Sequence, residues 1–134
     1  MALIALRGAA TVAENESDAI LAATVADNES EAILSATEEL MHEVLARNHL
    51  EAGDLVSCIF TLTDDLDAEF PAVAARLMGL SAVPLLCARE IPVPGALPRV
   101  IRVLIHCNVR DGHEAEHVYL GDAQKLRQDL HGAQ

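Results

Sequence analysis

Arg99-Val100-Ile101-Arg102-Val103-Leu104-Ile105 reads as a buried strand with a guanidinium set in its middle. A charge in such a place costs several kcal/mol of desolvation unless it is paired. A chain keeps that arginine either for a fixed ion pair or for an anionic ligand. The amino terminus repeats the arrangement, because Arg7 ends the apolar stretch Ala2-Leu3-Ile4-Ala5-Leu6. Two strand-borne arginines in an acidic chain point to a small pocket built for a carboxylate.

Outward from that strand, residues 2–12 read as a first strand, and residues 17–48, free of Gly and Pro and rich in Ala, Leu and Glu, as helix. Gly53 marks the turn out, and Leu55 to Leu62 reads as a second strand. Phe70 to Met78 reads as a short helix with Pro71 in its first turn. Val83 to Cys87 is a third strand, and its Pro84 places it at an edge or at a strand start. Pro92, Pro94, Gly95 and Pro98 make the next connection a rigid loop. Residues 99–109 form a fourth strand, residues 117–120 a short fifth, and 122–128 a last short helix. The pattern is a mixed α/β (α+β) domain spanning 1–134.

The chain has 134 residues, enough for one domain with a hydrophobic core. Its formal net charge of −12 argues against nucleic acid and anionic membrane as partners, since both need a basic surface. It does not exclude a small anionic substrate. No apolar run approaches the roughly 20 residues of a membrane span, and no secretory signal is evident, so the expected location is the cytoplasm. Cys58, Cys87 and Cys107 are odd in number and lack metal-ligand spacing, which argues against a disulfide framework.

A tandem repeat interrupts the start of the long helix. Residues 11–23 (TVAENESDAILAA) are followed at once by residues 24–36 (TVADNESEAILSA), identical at ten of 13 positions. This is a segmental duplication, and one copy is too short for a solenoid unit. In one straight helix, 13 residues rotate the chain by roughly 220° beyond three full turns. Ile33-Leu34, Leu40-Met41 and Val44-Leu45 make one apolar stripe, whose face Ile20-Leu21 would then miss, so the helix either runs on with a kink or breaks near Thr24 to Asn28. Asp27, Asn28 and Ser30 are helix-cap types that support the break, but nothing in 17–48 forces a turn, which favours the longer, kinked helix.

Glu90 follows the third strand, and the loop 91–98 is about long enough to return the chain beside it. Glu90 could then meet Arg102, either as a pair that only holds the loop or as a pocket offering a carboxylate to a hydroxyl and a guanidinium to an anion. Tyr119, the only tyrosine, reads by itself as a core residue with a tied hydroxyl. Phe70 reads as packing, and Arg76 and Arg127 as solvated charges. His106, His113 and His117 lack metal-ligand spacing on one element, so no metal is expected. Cys87 has no identifiable base and reads as an inert thiol.

Five ordered segments resemble the small, trimeric, barrel-type chorismate mutases. They are Arg7-Gly8-Ala9-Ala10-Thr11-Val12, Asp65-Leu66-Asp67-Ala68-Glu69-Phe70-Pro71-Ala72, Val83 to Glu90, Ile101-Arg102-Val103 and His117-Val118-Tyr119-Leu120. Their order and spacing agree over nearly the whole chain, apart from one extra segment of the size of the repeat. The resemblance implies a β-rich pseudo-barrel homotrimer with sites between subunits. It also implies an isomerase of aromatic amino acid biosynthesis that rearranges chorismate to prephenate with no cofactor. By position, Arg102 would face the ether oxygen, Glu90 and Cys87 the ring hydroxyl, and Arg7 and Tyr119 a side-chain carboxylate. Phe70, Ala72 and Arg76 would approach from the adjoining subunit, and Leu126 and Arg127 would close over the substrate. Val73 stands where the family often has lysine, and the loop between Arg76 and Pro84 is one residue shorter than the family pattern. A pericyclic rearrangement needs no metal, nucleophile or general base. It needs a held chair conformer and a fixed positive charge at the breaking bond. The alternatives are a trimeric imine deaminase of similar architecture and a non-catalytic trimer that binds a small anion.

Overall fold

The computed structural model describes residues 1–11 and 25–125. In these, strands β1 (Ala2–Thr11), β2 (Leu55–Leu62), β3 (Leu85–Arg89), β4 (Val100–Val109) and β5 (Val118–Leu120) form one mixed sheet in the order β3-β2-β4-β1-β5. Helix α1 (Val25–Arg47) lies between β1 and β2, and helix α2 (Pro71–Leu77) between β2 and β3. The ladders of β4 with β1 and with β2 are antiparallel, while β2–β3 and β1–β5 are parallel. α2 is the crossover between the paired parallel strands β2 and β3, and α1 joins β1 to β2 on the two sides of β4. The result is an α+β fold.

One face of the sheet is covered. Leu6, Gly8 and Ala10 of β1, Phe60 of β2, and Val103 and Ile105 of β4 share it by strand alternation and register. Against them α1 sets the buried side chains of Leu40, Met41 and Val44. Their spacing is the helical stripe legible in the sequence, and each fully buried large side chain contributes about 1.5–3 kcal/mol. Gly8 lets the helix come this close. A Cβ there would lie 3.0 Å from Leu40 and 3.1 Å from Val44.

α1 ends at Arg47, one residue before the end expected from the sequence. His49 takes the left-handed conformation (φ 53) and the Leu50 N–H turns back to the Leu45 carbonyl at 2.9 Å, closing a Schellman-type cap without glycine. The preceding residue, Asn48, is buried, and its amide is bonded on both sides.

The structure corrects several boundaries. The third strand starts at Leu85, after Pro84, and is an edge strand as the proline implied. The last short helix opens as a 3-10 turn over Gly121–Ala123, and residues 126–128 lie outside the described part. From Val25 onward α1 runs unbroken to Arg47, whereas residues 12–24, which hold nearly all of the first repeat copy and the expected helix over 17–24, lie outside the described residues.

The larger correction concerns β4. It is not buried on both faces. Ile101, Val103, Ile105 and Cys107 are covered, but Arg102 is exposed and Leu104, His106 and Asn108 are half-exposed. The second face of the sheet is open within one chain, with Leu3 at 62% and Leu86 at 59% exposure.

Candidate active site

On that open face, strand alternation places Arg7 and Ala9 of β1, Ile59 and Thr61 of β2, and Arg102 and Leu104 of β4 side by side. With Glu90 and Tyr119 they line a cleft of about 280 Å³. Covering one end of it, Ala9 and Val100 pack with Ala123, Leu97 and Tyr119.

Glu90 stands at the end of β3, and its main-chain N–H donates to the Leu62 carbonyl at 2.8 Å, which continues the β2–β3 ladder. Its carboxylate is held by two neighbours. Arg102 Nε lies 3.4 Å from Oε1, and the Thr61 hydroxyl donates to Oε2. The meeting of Glu90 and Arg102 expected from the loop length is therefore present. It is an open pair rather than a buried one, with side-chain exposures of 45% for Arg102 and 21% for Glu90. An ion pair this wet adds little stability. Its value is positional, since it aligns the guanidinium through Nε and leaves the terminal nitrogens for an incoming oxygen.

β4 enters this site through a second network. Arg99 adopts the left-handed conformation (φ 54), and its N–H is received by the Asp65 carboxylate at 3.0 Å. The Thr63 hydroxyl accepts the Val100 N–H at 3.0 Å and donates to Asp65 at 2.6 Å. These bonds fix the strand start two residues before Arg102.

Arg7 and Tyr119 reach the cleft from β1 and β5. Tyr119 is paired in register with Ala9, so both side chains stand on the same face. The Arg7 main-chain N–H donates to His117 Nδ1 at 3.1 Å. Burial first, and the Arg7 charge second, push the His117 pKa below its ordinary value. The other two histidines also have separate partners, His106 with Ser57 and His113 with Asn48.

Cys87 falls elsewhere. Its register partner is Phe60, and its side chain packs against the helix-covered core. Only its main chain faces outward. Cys58 N–H donates to the Pro84 carbonyl and Glu90 N–H to the Leu62 carbonyl, so the even-numbered residues of β3 bond to β2. The alternation of a parallel ladder then turns the Cys87 N–H to the free edge.

Phe70, Ala72 and Arg76 do not line the cleft of their own chain. Phe70 is 65% exposed and Arg76 is exposed, but the Ala72 side chain is buried in the core. Leu126 and Arg127 lie outside the described residues. Thr61, Ile59 and Leu104 were missed by sequence reasoning: period-two counting from Arg102 reaches Leu104, whereas Ile59 and Thr61 join that face only through the β2–β4 register.

A guanidinium aligned by a carboxylate, a second arginine and a tyrosine around an apolar-walled cleft define a protein that binds and orients a small anion. The chain belongs to the chorismate mutase type I family, whose model matches residues 21–130, and its activity is that of a chorismate mutase, an isomerase. It is 50% identical over 131 residues to the chorismate mutase AroH of Thermus thermophilus, covering 96% of this chain and 97% of that one. It is 37% identical over 132 residues to AroH of Bacillus subtilis, covering 97% and 94%. Its fold is similar to that of a chorismate mutase from Clostridium thermocellum, with a TM-score of 0.76 and 42% identity over 91% of this chain and 98% of that one.

Proposed function

We propose that the cleft between Arg7, Glu90, Arg102 and Tyr119 is where chorismate is rearranged to prephenate. The observation that carries this reading is the Arg102–Glu90 pair, locked by Thr61 and set on the open sheet face beside Arg7. In the rearrangement the ether carbon–oxygen bond breaks as a carbon–carbon bond forms, and negative charge grows on the ether oxygen. Arg102 donates to that oxygen. The guanidinium is already aligned before the substrate arrives, so little reorganisation is needed as charge develops. Glu90 accepts the ring hydroxyl, and Cys87 contributes its outward main-chain N–H at the same end. Arg7 and Tyr119 hold a carboxylate of the side chain. The apolar walls from Ile59, Ala9 and Leu104 favour the compact chair over extended conformers.

The chain forms a single domain and works as a homotrimer in the cytoplasm, with the open sheet faces packed together. Support for the assembly comes from the exposed apolar residues of that face and of β3, Leu3 and Leu86 among them. Phe70, Arg76 and the main chain at Ala72 then approach the cleft of a neighbouring subunit, and Leu126 and Arg127 close over the substrate. Val73, half-buried on α2, supplies no charge there, which weakens attraction of the dianion but leaves the chemistry intact. Among the described residues no helix is long and apolar enough to cross a membrane.

The test follows the loss of chorismate absorbance and identifies prephenate as product. Arg102→Ala should lower kcat by about a hundredfold or more, the range for losing one preorganised donor. Arg102→Lys keeps the charge without the fork and should recover only part of it. Near-normal turnover by a folded Arg102→Ala protein would refute the role given to this residue.

A further inference from the structure

His117 is a half-buried imidazole that the mechanism leaves unused, yet it touches the machinery directly. It precedes β5, and its Nδ1 accepts the main-chain N–H of Arg7 at 3.1 Å. The β1–β5 ladder is short, running from Gly8 opposite Val118 to Ala10 opposite Leu120. Arg7 stands immediately before it. The imidazole therefore supplies the acceptor for the residue just ahead of the main-chain pairing, where a three-residue ladder at a sheet edge most needs an anchor.

The other side of His117 is held from α1. Asn48 Oδ1 accepts the Glu116 N–H at 2.9 Å, and Asn48 Nδ2 donates to the Glu116 carbonyl at 2.9 Å. Asn48 is itself buried, and its Nδ2 also donates to the Val44 carbonyl at 2.8 Å. The approach to β5 is thus clasped to α1 through residue 116 and to β1 through residue 117. An accepting Nδ1 requires the ring proton on Nε2 and a neutral imidazole. The lowered pKa of His117 agrees with that state.

We infer that His117 is a positioning residue for substrate binding: by accepting the Arg7 N–H it holds β5 in register with β1, so that Arg7 and Tyr119 present to one substrate carboxylate. The inference rests on the proposed contact of those two residues with chorismate. His117 itself touches neither the substrate nor the reacting atoms.

The test is steady-state kinetics on full-length variants whose circular dichroism and molecular mass match the parent. His117→Leu fills the space without an acceptor. His117→Asn restores an acceptor close to the position of Nδ1. One hydrogen bond of ordinary strength translates into up to about tenfold in binding. His117→Leu should therefore raise KM about tenfold while kcat changes less than about threefold, and His117→Asn should return KM to within about threefold of the parent. A folded His117→Leu protein with the parental KM overturns the inference. So does a folded His117→Asn protein whose KM is raised about tenfold over the parent, and this arm stands even if the leucine variant does not fold. The double variant with Arg7→Ala separates the two readings. If His117 acts through the presentation of Arg7 and Tyr119, the KM of the double variant falls short of the product of the single effects, whereas full multiplication overturns the role of His117. Arg7→Ala with the parental KM instead removes the assignment of Arg7, and the inference falls with it.

Discussion

Arg102 is half in solvent because Glu90 reaches it on one side only, at Nε. A fully enclosed pair would have lost its hydration and spent its donors on each other. The open pair keeps an aligned cation with donors to spare, which suits a ligand whose charge moves during the reaction. Cys58 and Cys107 show the opposite environment. Burial, and secondarily Cys107 beside it, push the Cys58 thiol up to about 11 from 9.0. Cys107 is raised as well, by burial and then by Asp54. A thiol whose folded pKa is raised stabilises the fold fully below its unfolded value and loses that contribution as pH rises through the folded one. At about pH 8 the two thiols should stay protonated and closed to iodoacetamide, with mass spectrometry finding them modified only after denaturation. Rapid modification of both in the native protein would show that the core beneath α1 opens readily. Cys87, half-buried on the edge strand, is the thiol that should react first.

At the scale of elements, the closeness of α1 to the sheet depends on Gly8. Three side chains, from Leu40, Val44 and Val103, lie within 3.2 Å of where a Cβ would stand. Gly8→Val should overpack this contact and cost about 1–3 kcal/mol, seen as a lower urea midpoint at fixed protein concentration. An unchanged midpoint would mean that the helix shifts without penalty. The same strands show what the sequence could disclose. The stripe Leu40-Met41-Val44 and the proline before β3 were legible because they obey helix and edge-strand rules that involve no partner. β4 was misread as buried on both faces because its open face also carries apolar residues, Leu104 among them. Strand alternation reveals a covered face only when the other face is polar. The pairing of Glu90 with Arg102 was legible from loop length. The share of Thr61 in it was not, since a threonine in a strand is ordinary until its neighbour across the ladder is known. Cys87 was placed in the site by resemblance, and its orientation follows from a register that the sequence does not state.

At the scale of the whole molecule, the duplication asks how much extra chain the connection between β1 and α1 tolerates. Thr11 ends β1 opposite Val100, and its hydroxyl accepts the Asp122 N–H at 3.0 Å. Thr24 is its copy in the second repeat. In a chain lacking residues 11–23, Thr24 follows Ala10 directly and can take the same place and the same bond. The buried stripe of α1 includes Ala32 and Ile33, which a later helix start would leave within the helix. Asp27, Asn28 and Ser30 then offer cap residues for a later helix start. Shortening a connection changes closure entropy only slowly with length, so stability should change little. The deleted protein should keep the molecular mass of the parent in light scattering and a kcat/KM within about threefold of it. A deleted chain of parental assembly whose kcat/KM falls about a hundredfold would show that the first copy helps to orient Arg7, four residues before it, and is part of the active site rather than a tolerated insertion.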